Sequence, residues 1–174
     1  AILPAGGGVN GARAMIVPMT DTPWLDDASS LVDAFRAGER SPKEELQATL
    51  DAIAASDLNC FSHLDPERAL AAAGSADLTK PFGGVPMGIK ELEQVEGWPD
   101  TQGSLLFADR VATHNSAVVD RVLGVGGAVP VGLTTSSEFG GLNVSVTKLN
   151  GVCHNPWQHG RTAGGSSGGS ASAV

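Results

Sequence analysis

Asn155–Ser170 reads NPWQHGRTAGGSSGGS. The fold turns on whether its last part, Gly164–Ser170, is a flexible spacer or a built loop. Composition alone allows a spacer, because Gly/Ser-rich segments make common linkers. The prefix argues against one. Asn155-Pro156-Trp157 and Arg161-Thr162 are specific residues, and Trp is a poor choice in a flexible spacer. Trp157 is read here as a packing anchor under the loop. Glycines on both sides of Ser166-Ser167 let the backbone take positive φ or approach a neighbour closely. The two adjacent hydroxyls can donate, accept and relay protons. No Lys follows in the GxxxxGK[ST] arrangement, so the loop is not a phosphate cradle. Gly124–Val129 (GVGGAV) is no dinucleotide fingerprint either, since it ends in Val.

Upstream of this loop, Thr134–Gly169 is dense in Gly, Ser, Thr and Asn and reads mostly as loop. A long loop inside a compact domain is usually functional. Before it come two short apolar runs, Val85–Ile89 (VPMGI) and Ala128–Leu133 (AVPVGL), which read as buried strands. Between them Asn115 is placed to cap a helix carrying Val118, Val119, Val122 and Leu123 and ending near Gly124. Strand, helix, strand predicts a parallel α/β unit. Pro130 sits uneasily in a central strand, where it removes a ladder donor. Ser170–Val174 begins a further helix.

The first part of the chain predicts scaffold helices. Leu31, Val32, Ala34 and Phe35 form an apolar stripe after Asp27, and Gly38 ends it. Ser41-Pro42-Lys43-Glu44 is a capping box with Pro at the first helical position. Leu46, Leu50 and Ile53 continue that second helix on one face. Asn59–Leu64 reads as a short strand, and Asp65-Pro66 starts an Ala-rich helix through about Ala73.

The chain has 174 residues, of which 41% are hydrophobic, enough for a packed core. Its net charge of −8 disfavours a polyanionic partner, and no Lys/Arg cluster offsets it. Nucleic acid is therefore not expected, and a small-molecule substrate is. No apolar run is long enough to span a bilayer; Asp120, Arg121 and Pro130 interrupt the nearest one. Cys60 and Cys153 fit no metal-ligand spacing; a disulfide between them stays open, and two reduced thiols in a cytoplasmic protein are the favoured reading. His154 and His159, near Cys153, fit no zinc pattern and are read as loop-packing residues, with no metal and no cofactor expected. Residues 1–23 read as a tail, a tag or upstream sequence, with Met15 or Met19 as a natural start.

Lys90 directly follows the first apolar strand. A Lys there is solvated or turned into a site, and burial would favour its neutral, basic amine. GVPMGIKE (Gly84–Glu91), TTSSEFGG (Thr134–Gly141) and NPWQHGRTAGGSSGGS resemble the amidase signature family, in that order and at similar separations. The resemblance runs from about Trp24 to the end of the chain, and it implies that residues 24–174 are the N-terminal part of a single domain truncated after the Gly/Ser loop.

That resemblance implies an α/β fold, a mixed and mainly parallel sheet flanked by helices on both faces, incomplete in this chain. It implies a hydrolase of linear carboxylic amides that uses a Ser–cis-Ser–Lys triad. By position, Lys90 is the base and Ser166 the bridging serine after a cis peptide from Gly165. Gly164, Gly165, Ser167, Gly168, Gly169 and Ser170 support the loop, and Gly140 offers a backbone carbonyl to the substrate. The family's nucleophilic Ser falls beyond residue 174, so the rest of the polypeptide or a second chain would supply it. A homodimer stays open. Residues 1–174 alone are expected to expose apolar surface and to be inactive. Two positions depart from the family pattern: Glu91 replaces the usual Asp, and Thr135 replaces the usual Asn. Two rivals remain. One is an amidotransferase subunit of the same fold, which Ser137–Gly141 fits less well because it lacks a Met-Gly-Ser-Ser-like continuation. The other is a non-catalytic fragment that keeps the loop only as structure.

Overall fold

The computed structural model describes residues 22–174. The expected tail and the two Met starts fall almost wholly outside them. Helix α1 (Ala28–Ala37) begins at Asp27, whose carboxylate accepts from Ser30 N–H, and ends at Gly38 in the left-handed conformation. Helix α2 (Pro42–Ala55) has the full capping box: Ser41 accepts from Glu44 N–H while Glu44 accepts from Ser41 N–H. A buried ion pair between Arg40 and Glu45, 2.6 Å apart, joins the α1–α2 turn to α2. The Glu45 carboxylate also accepts from Trp24 N–H.

Strand β1 (Phe61–Leu64), helix α3 (Pro66–Gly74), strand β2 (Pro86–Lys90) and strand β3 (Val129–Thr134) follow. The sheet order is β1-β3-β2, with β2 parallel and β1 antiparallel to β3. The chain therefore has the expected mixed sheet. Leu46, Ala69, Ala73, Val129 and Val131 form one core under α2 and α3. Ile89, Val95, Trp98, Val119 and Leu133 form another on the opposite face.

Strand β3 is buried at every position, and its alternation explains why. Met87 pairs with Pro130 but Gly88 pairs with Gly132, so Val131 is an extra residue on β3. Such a bulge shifts the side-chain phase. Val129 and Val131 face one core, and Leu133 swings to the other. The same geometry answers the difficulty of Pro130. Strand β1 pairs with β3 only at Gly132, Leu133 and Thr134, so Pro130 lies where no β1 donor or acceptor faces it.

The segment between β2 and β3 differs from the sequence reading. Helix α4 (Ala117–Val119) is capped by Ser116, whose hydroxyl accepts from Val119 N–H. Asn115 instead accepts from Glu96 N–H and donates to Asp120, tying down the preceding loop. The helix continues as a π-helix over Asp120–Val125, beyond Gly124, with Gly126 N–H donating to Arg121 O at 2.7 Å. Thr134–Gly169 is also more regular than expected. It holds two small hairpins, β4 (Val146–Thr147) with β5 (Gly151–Val152), and β6 (His154–Asn155) with β7 (Gln158–Thr162). Helix α5 (Gly168–Ala173) closes the described chain.

Candidate active site

Strands β2 and β3 run parallel, so their carboxyl ends meet at one edge of the sheet. Open α/β sheets hold their ligands at that edge. Lys90 is the last residue of β2 and pairs in register with Thr134, the last of β3. The Gly/Ser loop lies across this edge, tied to the end of β3 and to the segment after it. Thr134 and Ser170 hydroxyls are 2.7 Å apart. Gly169 N–H donates to Thr135 O at 2.8 Å, and Ser137 N–H donates to Ser166 O at 3.1 Å. Thr135 N–H in turn donates to Cys60 O, seating the segment on the start of β1.

The approach is close enough to explain the glycines. A methyl built on Gly169 would stand 2.3 Å from Thr135 N and 2.5 Å from Cys60 O. One on Gly165 would stand 2.7 Å from Val144 N. Both contacts are with backbone, which cannot swing aside. The Gly165–Ser166 peptide is cis. Ser166 is half-buried, and Lys90 Nζ donates to its Oγ at 2.7 Å.

Gly140 ends a 3₁₀ turn, Glu138–Gly140, and has φ +69°; Phe139 before it has φ +52°. The turn is pinned by Phe139 N–H donating to Gln102 O and Gly140 N–H to Ser137 O. A methyl built on Gly140 would stand 3.9 Å from Ser166 Oγ, so the turn borders the Lys90–Ser166 pair. Of the other loop residues, Ser170 makes its hydroxyl contact with Thr134. Ser167 starts α5 through its carbonyl, which accepts from Ala171 N–H, and its hydroxyl makes no capping bond. Ser137 is fully buried, and its Oγ has no hydrogen-bond partner among the described residues.

Trp157 is not beneath the loop. It sits at the β6–β7 turn and is 85% exposed. The Asn-Pro-Trp prefix forms a hairpin, and Asn155 accepts from Trp157 N–H to make its turn. His154 and His159 stack with ring centroids 3.9 Å apart, inside the same hairpin. Among the described residues no three His, Cys, Asp or Glu side chains gather to hold a metal. Cys60 and Cys153 are free, and burial pushes both thiols above the ordinary cysteine range.

Both departures from the family pattern have partners. Thr135 donates to Asn59 O at 2.9 Å and is fully buried, so it holds the start of β1. Glu91 is buried at 2% exposure and accepts from Ser136 N–H at 2.8 Å and from Asn150 Nδ2 at 2.8 Å. Ser136 and Asn150 were not singled out from the sequence. Asn150 carries no local signal, since its partner is 59 residues away.

A family model described as Amidase matches residues 44–174. The chain belongs to the amidase family. Among its amidase-family relatives, a glutamyl-tRNA(Gln) amidotransferase subunit of Desulfotalea psychrophila is 41% identical over 148 residues. That match covers 80% of this chain and 30% of the relative. An acylamidase of Rhodococcus erythropolis is 34% identical over 160 residues, covering 87% of this chain and 33% of the relative. The structure of 6-aminohexanoate cyclic dimer hydrolase superposes with a TM-score of 0.79 at 30% identity, covering 86% of this chain and 31% of that one. The chain thus spans about a third of the length of the amidase relatives it matches. Among the described residues no helix is long and apolar enough to cross a membrane.

Proposed function

We propose that this chain carries two of the three members of a Ser–cis-Ser–Lys triad in an amidohydrolase that cleaves a linear carboxylic amide to an acid and ammonia or an amine. The observation that carries this reading is the 2.7 Å contact between Lys90 Nζ and Ser166 Oγ. At that distance a proton can pass between the two groups without intervening water. Neutral Lys90 takes the Ser166 proton while Ser166 takes one from the nucleophilic serine, which lies beyond residue 174. That serine attacks the amide carbonyl, backbone N–H groups hold the oxyanion, and the relay returns a proton to the leaving amine. Water then hydrolyses the acyl-enzyme. Gly140, bordering Ser166, offers its carbonyl to the substrate. The remaining polypeptide or a second chain completes the site.

A second reading is favoured by the names of several relatives: the complete protein is one subunit of a glutamine-dependent amidotransferase. The Rhodococcus acylamidase match supports the first reading in the same way. Ammonia or amine release by the purified complete enzyme separates them. Turnover of simple amides without any partner supports the amidase; glutamine turnover that needs a partner protein supports the amidotransferase. Under either reading Lys90→Ala abolishes release, and full activity in that variant would refute the triad.

A further inference from the structure

We propose that Glu91 is a positioning residue for the Lys90–Ser166 pair: its buried carboxylate fixes the Ser136–Ser137 backbone on which the Ser166 loop rests. This rests on the reading of Lys90 and Ser166 given above.

Glu91 follows Lys90 directly and is almost wholly buried, yet it makes no ion pair among the described residues. A buried carboxylate is costly unless hydrogen bonds satisfy it. Its donors are all neutral and converge from two loops. Oε1 accepts from Ser136 N–H at 2.8 Å and Ser136 Oγ at 3.1 Å. Asn150 Nδ2 donates to both carboxylate oxygens, at 2.8 and 3.1 Å. Glu91 N–H also donates to Thr134 O at 3.1 Å, so Glu91 holds the exit of β3 by backbone and side chain together.

The next residue along, Ser137, donates its N–H to Ser166 O at 3.1 Å. Lys90 is thus linked to Ser166 twice. One link is the direct Nζ–Oγ contact. The other runs through Glu91, Ser136 and Ser137 to the Ser166 backbone. The second link sets where Oγ stands, because it fixes the residue that bears it. Asn150 braces the clamp from the β4–β5 hairpin: its N–H donates to Thr147 Oγ1, and its carbonyl accepts from Asn59 Nδ2. The fit around the carboxylate is tight, since a methyl built on Gly103 would stand 3.2 Å from Glu91 Oε1. The carboxylate's part is to be an acceptor in the right place, with no contact to substrate.

The test uses the complete enzyme with a turned-over amide, at a temperature where circular dichroism shows each variant folded. Glu91→Leu removes the acceptor and is expected to lower kcat by about 100-fold with KM changed by less than about 3-fold. Glu91→Gln keeps an acceptor oxygen for Ser136, and Asn150 can turn its amide to match; it is expected to stay within about 10-fold of wild type. If Glu91→Leu does not fold, Asn150→Leu removes donors from the same carboxylate and is expected to lower kcat by about 10-fold with KM unchanged. Folded variants with wild-type kcat, or a rise in KM alone, would overturn the proposal. So would Glu91→Gln as damaged as Glu91→Leu, since charge and not the acceptor would then matter. Inactive Lys90→Ala beside a fully active Glu91→Leu sinks this proposal alone. Active Lys90→Ala sinks the reading beneath it.

Discussion

Lys90 Nζ and Ser166 Oγ lie 2.7 Å apart although 76 residues separate them in the chain. One ends a strand and the other lies in a loop held on the exit of the neighbouring parallel strand. The contact exists because the Gly/Ser loop can press against backbone at Thr135 and Val144, where no side chain would fit.

Gly169→Ala therefore tests the seat of the loop. Its methyl would meet the Thr135 and Cys60 backbone, so the loop must lift. Overpacking of this kind costs about 1–3 kcal/mol. The variant is expected to unfold at lower denaturant and to lose activity together. Gly164→Ala meets no neighbouring atom but sits at φ +86°, and it is expected to be milder.

His63 gives a pH dependence of stability. It packs edge-on against Trp98, and its Nε2 is buried with no hydrogen-bond partner among the described residues. Burial holds its pKa below the ordinary histidine value, partly offset by the charge of Asp65. The folded state thus resists a proton that the unfolded chain accepts. Its contribution is complete above about pH 6.5 and is lost as pH falls below that. Denaturant unfolding of the full-length protein should show stability declining from pH 7 to pH 5. His63→Phe should flatten that slope, and an unchanged slope would refute the assignment.

The capping box is a scaffold device remote from the chemistry. Ser41→Ala is expected to cost about 1 kcal/mol of stability. Turnover at a temperature well below unfolding should be unaffected, which steady-state assays would check.

Trp157 offers the reverse test. With 85% exposure it contributes little buried area. Trp157→Ser is expected to change stability by less than about 0.5 kcal/mol. A loss of several kcal/mol would restore the anchoring role that the sequence suggested.

What the sequence disclosed was local. Apolar stripes and end signals marked α1, α2 and α3, because Asp27, Gly38, Ser41 and Pro66 act within a few residues of themselves. Lys90 and Ser166 were legible through motifs that travel together. Less visible were features made by distant segments. The β4–β5 and β6–β7 hairpins rest on strands as short as two residues, too short for any alternation to show. Trp157 looked like an anchor because Trp is usually buried, but the hairpin turn carries it outward. Pro130 looked wrong for a central strand until the short reach of β1 was known. The Glu91–Asn150 contact joins two loops and leaves no trace in either.

The central claim is that Lys90 and Ser166 work as one proton relay. The most direct measurement is a double-mutant cycle on kcat/KM in the complete enzyme, with Lys90→Ala, Ser166→Ala and both together. Each single variant should lose at least about 10³-fold, and the double should lose little more than either, because members of one relay are not additive. Losses that multiply in the double variant, or a single variant within about 10-fold of wild type, would contradict the relay.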